Sequence, residues 1–335
     1  MRFNLKASPG IRRMSVAGLA AAALVSITAL PANAAKGHAA ATDQMTVIAF
    51  PISTSLMLPY VAQDFGFFKK YGANVKIMTL NAGSAAVELP LVLNGSATFG
   101  VSGTGDVLPT IAGGAPITLI SGPGTQVDSK TKTSVNVVIA KNPAIKTIKD
   151  LAGKTIGLNS LGTQHQLFLS MQMRKAGGDP NSMKFVKVPL SNIGSAIANG
   201  QIDAGQAQEP ALTQDLGQGM HRVVGIGVDV TGGLPQGIYW GARSWVKAHS
   251  ADVLAFQKAM GAAARALVKD PNKMKKMLTR YSAFPADIIS SLQNIGQFTD
   301  SNTQPNIIRL GKVLHRYGLL KPLPLPQTYI WSPKK

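Results

Sequence analysis

The chain has 335 residues, carries 34 Lys and Arg against 15 Asp and Glu, and contains no cysteine. Without thiols it builds no disulfide, thiolate metal site, cysteine nucleophile or lipid-modified cysteine anchor. With 45% apolar and 15% charged residues it reads as globular rather than disordered, and its formal charge of +19 raises nucleic-acid binding as a question to test.

Arg2, Lys6, Arg12 and Arg13 make a basic start with no acid before Asp43. Residues 16–30 follow as an almost wholly apolar run, too short to span ~30 Å of hydrocarbon as a helix. Pro31-Ala32-Asn33-Ala34-Ala35 then puts small residues where a signal peptidase reads. This pattern predicts a signal peptide over 1–34, cut after Ala34, and a periplasmic protein. Its removal takes four of the +19 charges and leaves +15.

From there the chain repeats itself. Thr46-Val47-Ile48-Ala49-Phe50 reads as a buried strand, followed by a polar loop to Ser55 and a helix over 58–71 that stops at Gly72. Val75-Lys76-Ile77 leads to Gly83-Ser84, a helix ending at Asn94-Gly95, and a short strand ending at Gly100. Lys154-Thr155-Ile156-Gly157-Leu158 starts the same series again, with a loop over 159–164 and a helix to Ala176 before Gly177-Gly178. Val186-Lys187-Val188 then leads to Gly194-Ser195, Asn199-Gly200 and a strand ending at Gly205. The offsets are 111 at the middle strand and 105 at the last glycine. Strand–helix–strand–helix–strand, twice, predicts an α/β protein of two similar lobes, each a mostly parallel sheet flanked by helices.

Two stretches, 117–120 and 135–139, read as strands that close the first lobe. Residues 237–243 and the helices after Asp252 follow the second copy. The expected organisation is lobe 1 over 43–138 with 229–335 and lobe 2 over 139–228, with crossings near 138–141 and 225–230.

Ligands of open parallel sheets bind outside the carboxyl ends of the strands. Six loops qualify: 51–55, 81–84 and 102–106 in the first copy, 159–164, 191–195 and 206–210 in the second. They are rich in Gly, Ser, Thr, Asn and Gln, which suits backbone N–H groups at helix starts that favour polar oxygens. Any single Ser or Thr there also serves as an ordinary N-cap. Asp106 and Glu209 end matching strands across the expected cleft, where either could instead cap a helix. His165 lies in the first turn of the opening helix of the second copy, where it reads as a solvent-facing or core-edge histidine rather than a ligand contact, and it is the catalytic candidate if the chain is an enzyme. No His spacing suits a metal, and no serine sits in a nucleophile elbow, so neither catalysis nor a cofactor or metal is expected. Lysines 69, 70, 141, 146, 149, 273, 275 and 276 fall on helix ends and exposed faces, without interleaved aromatics. Nucleic acid is therefore not an expected partner.

Several stretches carry a family likeness: Pro59-Tyr60-Val61-Ala62-Gln63-Asp64-Phe65-Gly66-Phe67-Phe68, Leu93-Asn94-Gly95, IKDLAGKTIG over 148–157, ANGQIDA over 198–204, Gln208-Glu209-Pro210 and Asp270-Pro271. In that order they resemble the type II periplasmic substrate-binding proteins of ABC transporters, in the branch of sulfonate, nitrate and thiamine-precursor binders. The resemblance implies a two-lobed clamshell with its ligand cleft between the lobes, a monomer that delivers a small molecule to permease and ATPase subunits. It implies ligand contacts from Ser53, Thr54, Ser55, Gly83, Ser84, Ser102, Thr104, Gly162, Thr163, Gln164, Asn192 and Glu209. The ligand types implied are sulfonate, nitrate, aromatic carboxylate or pyrimidine. Phe50 and Ala207-Gln208 depart from the aromatic pattern of the family, and no arginine falls in a cleft loop. Two alternatives stay open: a pyrimidine-precursor synthase on the same fold, which the lack of cysteine disfavours, and a solute-binding partner of a periplasmic sensor.

Overall fold

A computed structural model describes residues 43–80, 85–126, 134–231, 233–292, 295–296, 298–318 and 320–333. The expected signal peptide therefore lies outside the described residues, as do Gly83 and Ser84. The chain from residue 42 onward clusters as one compact unit, and both sheets described below belong to it.

The first copy runs β1 (Met45–Ala49), α1 (Leu58–Asp64), α2 (Phe67–Lys70), β2 (Val75–Thr79), α3 (Ala85–Leu93), β3 (Phe99–Gly103), α4 (Thr104–Ala112) and β4 (Ile117–Gln126). β1 lies parallel to both β2 and β3, and Val47, Ile48 and Ala49 are fully buried, as a central parallel strand requires. The helix expected over 58–71 is two helices. Gly66 sits at φ 72 between them, a left-handed turn that stops α1 and starts α2. Gly72 takes the expected left-handed position at φ 70.

β5 (Val137–Ala140) opens the second sheet. It is followed by β6 (Thr155–Leu158), α5 (Gln164–Lys175), β7 (Lys184–Lys187), α6 (Ile193–Ala198), β8 (Ala204–Ala207), α7 (Ala211–Gly217) and β9 (His221–Gly225). Gly194-Ser195 falls inside α6 rather than ahead of it. The chain then returns through β10 (Pro235–Ala242), α8 (Arg243–Ala248), α9 (Ser250–Lys269), α10 (Asn272–Tyr281), α11 (Ala286–Ser291), β11 (Phe298–Asn302), α12 (Gln304–Arg316) and β12 (Ile330–Trp331). No helix among the described residues is long and apolar enough to cross a membrane.

The described strands form a seven-stranded sheet, β11-β4-β10-β3-β1-β2 with β12 beside β4, and a five-stranded sheet, β7-β6-β8-β5-β9. Each contains the same parallel trio, β2-β1-β3 and β7-β6-β8, so the repeat read from the sequence is a repeat of topology. Each trio is extended by an antiparallel strand, β10 beside β3 and β5 beside β8, which makes both sheets mixed.

The strand expected at 135–139 does not close the first sheet. β5 pairs with β8 in the register Val137↔Ala207 to Ala140↔Ala204, and its other edge pairs with β9. The first passage between sheets therefore precedes Val137, upstream of the expected 138–141. An all-buried run such as Val137–Ala140 specifies a central strand without specifying its sheet. The second passage lies between β9 and β10, in the region expected. Because β10 runs antiparallel to β3, its first residues sit beside the carboxyl end of β3, with Gly237 opposite Gly103. The return strand thus enters the larger sheet at the carboxyl end of its parallel strands.

In the core of the larger half Phe99 and Tyr239 pack against Phe256 of α9, with Phe99 and Phe256 stacked at 4.2 Å. Trp240, next to Tyr239 on β10, is buried on the opposite face of the sheet, beside Ser102 and beside Glu88 of α3. Gly100 lets the Trp240 face close against α3. A Cβ there would stand 2.6 Å from Trp240 Cζ2 and 2.7 Å from Glu88 Oε2, both in fully buried side chains. Gly100→Ala is expected to lower stability by about 1–3 kcal/mol through overpacking, read as a lower urea midpoint with unchanged slope.

Candidate functional site

The carboxyl ends of the two parallel trios face each other, and a cavity of about 70 Å³ lies between them. Its walls come from both halves. The larger half supplies Phe50, Ser55 and Leu56 after β1, Glu88 from α3, and Val101, Ser102, Gly103 and Asp106 from β3 and α4. The return strand and β4 add Gln236, Gly237 and Thr125, and the first passage adds Val135 and Asn136. The smaller half supplies Asn159, Gln164, His165 and Gln208.

Two glutamines of the smaller half bridge the gap. Gln164, the first residue of α5, accepts from the Gly105 N–H at the start of α4 (2.9 Å) and donates Nε2 to the Gln236 carbonyl (3.0 Å). Gln208 accepts at Oε1 from the hydroxyls of Ser53 (2.5 Å) and Ser55 (3.1 Å). Nearby, the Thr54 N–H donates to the Glu209 carbonyl at 3.1 Å. The halves are thus held together by neutral hydrogen bonds, each worth about 1 kcal/mol net.

Several polar atoms along this seam have no partner. They are Thr104 Oγ1, Asp106 Oδ1, Asn159 Oδ1, Gln236 Oε1 and both ring nitrogens of His165. An unsatisfied buried polar group costs about 1–3 kcal/mol, so such a cluster marks a place where a further molecule supplies the missing bonds.

The cavity wall contains two carboxyls and one imidazole, and among the described residues that line it there is no Lys or Arg. Glu88 accepts from the Val101 N–H (2.6 Å) and the Ser102 hydroxyl (2.8 Å), which in turn accepts from Trp240 Nε1 (3.2 Å). Burial outweighs these donors and raises the Glu88 carboxyl to about 8. Burial likewise raises Asp106 to about 7, opposed by the Gln164 backbone N–H. Burial alone lowers His165 to about 4, which keeps its ring neutral.

Of the residues the family likeness implied, Ser55, Ser102 and Gln164 line the cavity, and Ser53 backs it through Gln208. Thr104 is fully buried at the first turn of α4, and Thr163 is the N-cap residue of α5, its hydroxyl donating to the Ser160 carbonyl. Thr54 and Glu209 line a separate small void with Arg222. The Glu209 carboxylate caps α7 through the Thr213 N–H and hydroxyl, and Arg222 lies 3.6 Å from its other oxygen. Gly162 and Asn192 are exposed and away from the cavity. The Gly162 N–H donates to the Gln166 side chain, and Asn192 accepts from the Ser191 hydroxyl.

The sequence pointed to neither Glu88 nor Gln236; Asn159 and Gln208 lie in loops it marked without being among the implied contacts, and His165 was read as a solvent-facing or core-edge residue rather than a ligand contact. One signal for Glu88 was present: it is the sole charge in the apolar helix AAVELPLVL. Gln236 carried none, because nothing local shows that the return strand enters at the cleft.

A family model described as NMT1/THI5 like matches residues 53–274, more than half of the chain, and the chain belongs to that family. Its fold is that of periplasmic substrate-binding proteins. The alkanesulfonate-binding protein SsuA of Xanthomonas axonopodis pv. citri, solved with bound MOPS, is similar at a TM-score of 0.70 and 19% identity, covering 88% of this chain and 99% of that one. The periplasmic nitrate-binding protein NrtA of Synechocystis is similar at 0.65 and 13%, covering 83% and 82%. A binding protein of Brucella abortus is 28% identical over 154 residues, which is 45% of this chain and only 44% of that protein's length. The 4-amino-5-hydroxymethyl-2-methylpyrimidine phosphate synthase of Uromyces fabae is 28% identical over 244 residues, 69% of this chain and 68% of that enzyme.

The buried acids give the ligand-free protein a pH signature. A carboxyl raised on folding binds more protons native than unfolded, so its stability contribution falls as pH rises from its unfolded value near 4 towards the folded one. His165, lowered on folding, acts oppositely but only between about 4 and 6.5. Above pH 6.5 the His165 contribution is exhausted and stability is expected to fall as pH rises, through Asp106 up to about pH 7 and through Glu88 up to about pH 8. Urea melts across that range should show the decline, with a shallower slope in Asp106→Asn.

Proposed function

We propose that the protein is the solute-binding component of an ABC importer, working in the periplasm and capturing one small molecule by closure of its two halves. The observation that carries this reading is the seam itself: polar atoms from both halves are sealed around a cavity without partners. A ligand that fills those valences binds the closed arrangement better than an open one, and differential affinity of this kind shifts a hinge equilibrium. Closure presents a distinct shape to permease and ATPase subunits, the partners this reading calls for.

The wall chemistry narrows the ligand types. Sulfonate, nitrate and aromatic carboxylate are anions, and each would enter a site with two acids and no lining Lys or Arg. The binding names of the SsuA and NrtA neighbours belong to those proteins, whose identity to this chain is below a fifth. Of the four types considered, the neutral pyrimidine suits the wall best. Ser55, Ser102 and Gln164 are assigned here to the ligand site, together with Asp106, Asn159, His165, Gln208 and Gln236.

One second reading has its own support. The Uromyces match and the placement of His165 on the cavity wall favour a pyrimidine synthase. An enzyme of that kind turns over, so incubation with candidate precursors followed by mass spectrometry should reveal product. A binder returns its ligand unchanged, which is the result expected here.

A thermal-shift screen of the mature chain against sulfonates, nitrate, aromatic carboxylates and pyrimidines tests the binding role. A ligand at 100 times its Kd should stabilise by about 2.7 kcal/mol. Gln164→Ala should reduce that shift, because it removes both bonds across the seam. A full shift retained in Gln164→Ala and Asn159→Ala would move the binding site away from this cavity.

A further inference from the structure

We infer that the cleft selects a small organic cation, a protonated amine, amidine or guanidine group whose N–H donors meet Asp106 Oδ1, Asn159 Oδ1 and Gln236 Oε1. This ligand class rests on the cavity being the ligand site and deepens that role. Three of the unpartnered atoms on the wall are acceptors, and they come from α4, the loop after β6 and the start of β10. Gln236 is 3% exposed with its Nε2 already donating to Ser134 Oγ, which leaves Oε1 as the free valence. His165 is 6% exposed, faces the same cavity and has no partner at either nitrogen. The open valences are thus weighted to acceptors: three side-chain oxygens from three elements, beside one N–H and one acceptor nitrogen on neutral His165 and the hydroxyl of Thr104.

Charge points the same way. Glu88 already accepts at both oxygens, so it offers no bond to a ligand and acts on the floor by its charge only when ionised. Asp106 keeps one oxygen free. An anion would leave all three acceptors unfilled and meet two acids. A neutral heterocycle fills some acceptors and gains nothing from the carboxyls. A cationic head group fills them and is drawn by the field, and about 70 Å³ suits a compact group of a few heavy atoms. The surface lysines oppose this little, because exposed charges are screened within ~8 Å at physiological salt.

Cation capture is coupled to protons. The groups facing Asp106 are Glu88 from α3, neutral His165 and the Gln164 N–H from α5, with Tyr239 of β10 behind Glu88. Burial holds Asp106 and Glu88 at about 7 and about 8, so a bound cation that favours their ionised forms drives protons out. Affinity then rises with pH.

Isothermal titration of the mature chain with acetamidinium, guanidinium and agmatine, beside ethanesulfonate, nitrate and a neutral aminopyrimidine, tests the inference at pH 6 and 8. Two buffers of different ionisation enthalpy report the protons. The expected result is binding of at least one cation, about tenfold tighter at pH 8, with proton release, and weakened about tenfold or more by Asp106→Asn. Binding of an anion or the neutral ring in place of every cation, weakened by Asn159→Ala, overturns the cation class and leaves the cleft as the site. A cation whose binding is indifferent to Asp106→Asn and Gln236→Ala overturns both. Silence from all three cations overturns the cation class.

Discussion

Sealing polar atoms away from water without partners is costly, and that cost governs this molecule at its seam. The two parallel trios point their carboxyl ends at one another, which brings together the loops and helix starts where backbone donors are free. Gln164 and Gln208 satisfy some of those donors and hydroxyls by reaching across. Asp106, Asn159, Gln236 and His165 are left with open valences. The seam between the two sheets is therefore internally bonded yet incomplete, the energetic condition that the proposed capture by closure requires.

The distribution of charge follows a similar division. Lysines such as Lys69, Lys70, Lys141 and Lys146 are exposed, where their charge is hydrated at little cost. The cavity carries the opposite chemistry, with buried Glu88 and half-buried Asp106 held away from water on a wall of Ser, Asn and Gln side chains and pushed towards their neutral forms. A net positive protein can thus keep an interior cavity whose titratable groups are two acids and a neutral imidazole, with no lining Lys or Arg among the described residues. Net charge describes the solvated surface and its long-range field, and it says little about a site shielded from both water and salt.

Much of the architecture was legible in the chain. The offsets of 111 and 105 between matching strands and glycines correspond to two copies of one topology, and Gly72, Gly95, Gly177 and Gly200 all take the left-handed turns their positions suggest. These are local features, set by backbone sterics and hydrophobic period. The cleft loops followed from the same pattern, and Ser55, Ser102 and Gln164 came with them. Glu209 belongs to the right loop, yet its carboxylate is spent on capping α7. Asn192 and Gly162 belong to the right loops and face outward. Membership of a loop is a one-dimensional property, whereas the direction of a side chain depends on what packs against it.

By itself, then, the sequence determined the repeated α/β halves, the parallel trios and the strand ends at which the cavity lies. Only the tertiary structure decided the sheet to which Val137–Ala140 belongs, and that β10 enters the larger sheet with Gln236 at the cleft. It alone brought Gln164 to Gly105, 59 residues away, and to Gln236, 72 residues away. Local pattern encodes which residues are buried and how the backbone turns. Which buried polar atoms meet, and which are left waiting for a partner, is fixed by contacts between segments far apart in the chain, where no short-range period carries the information.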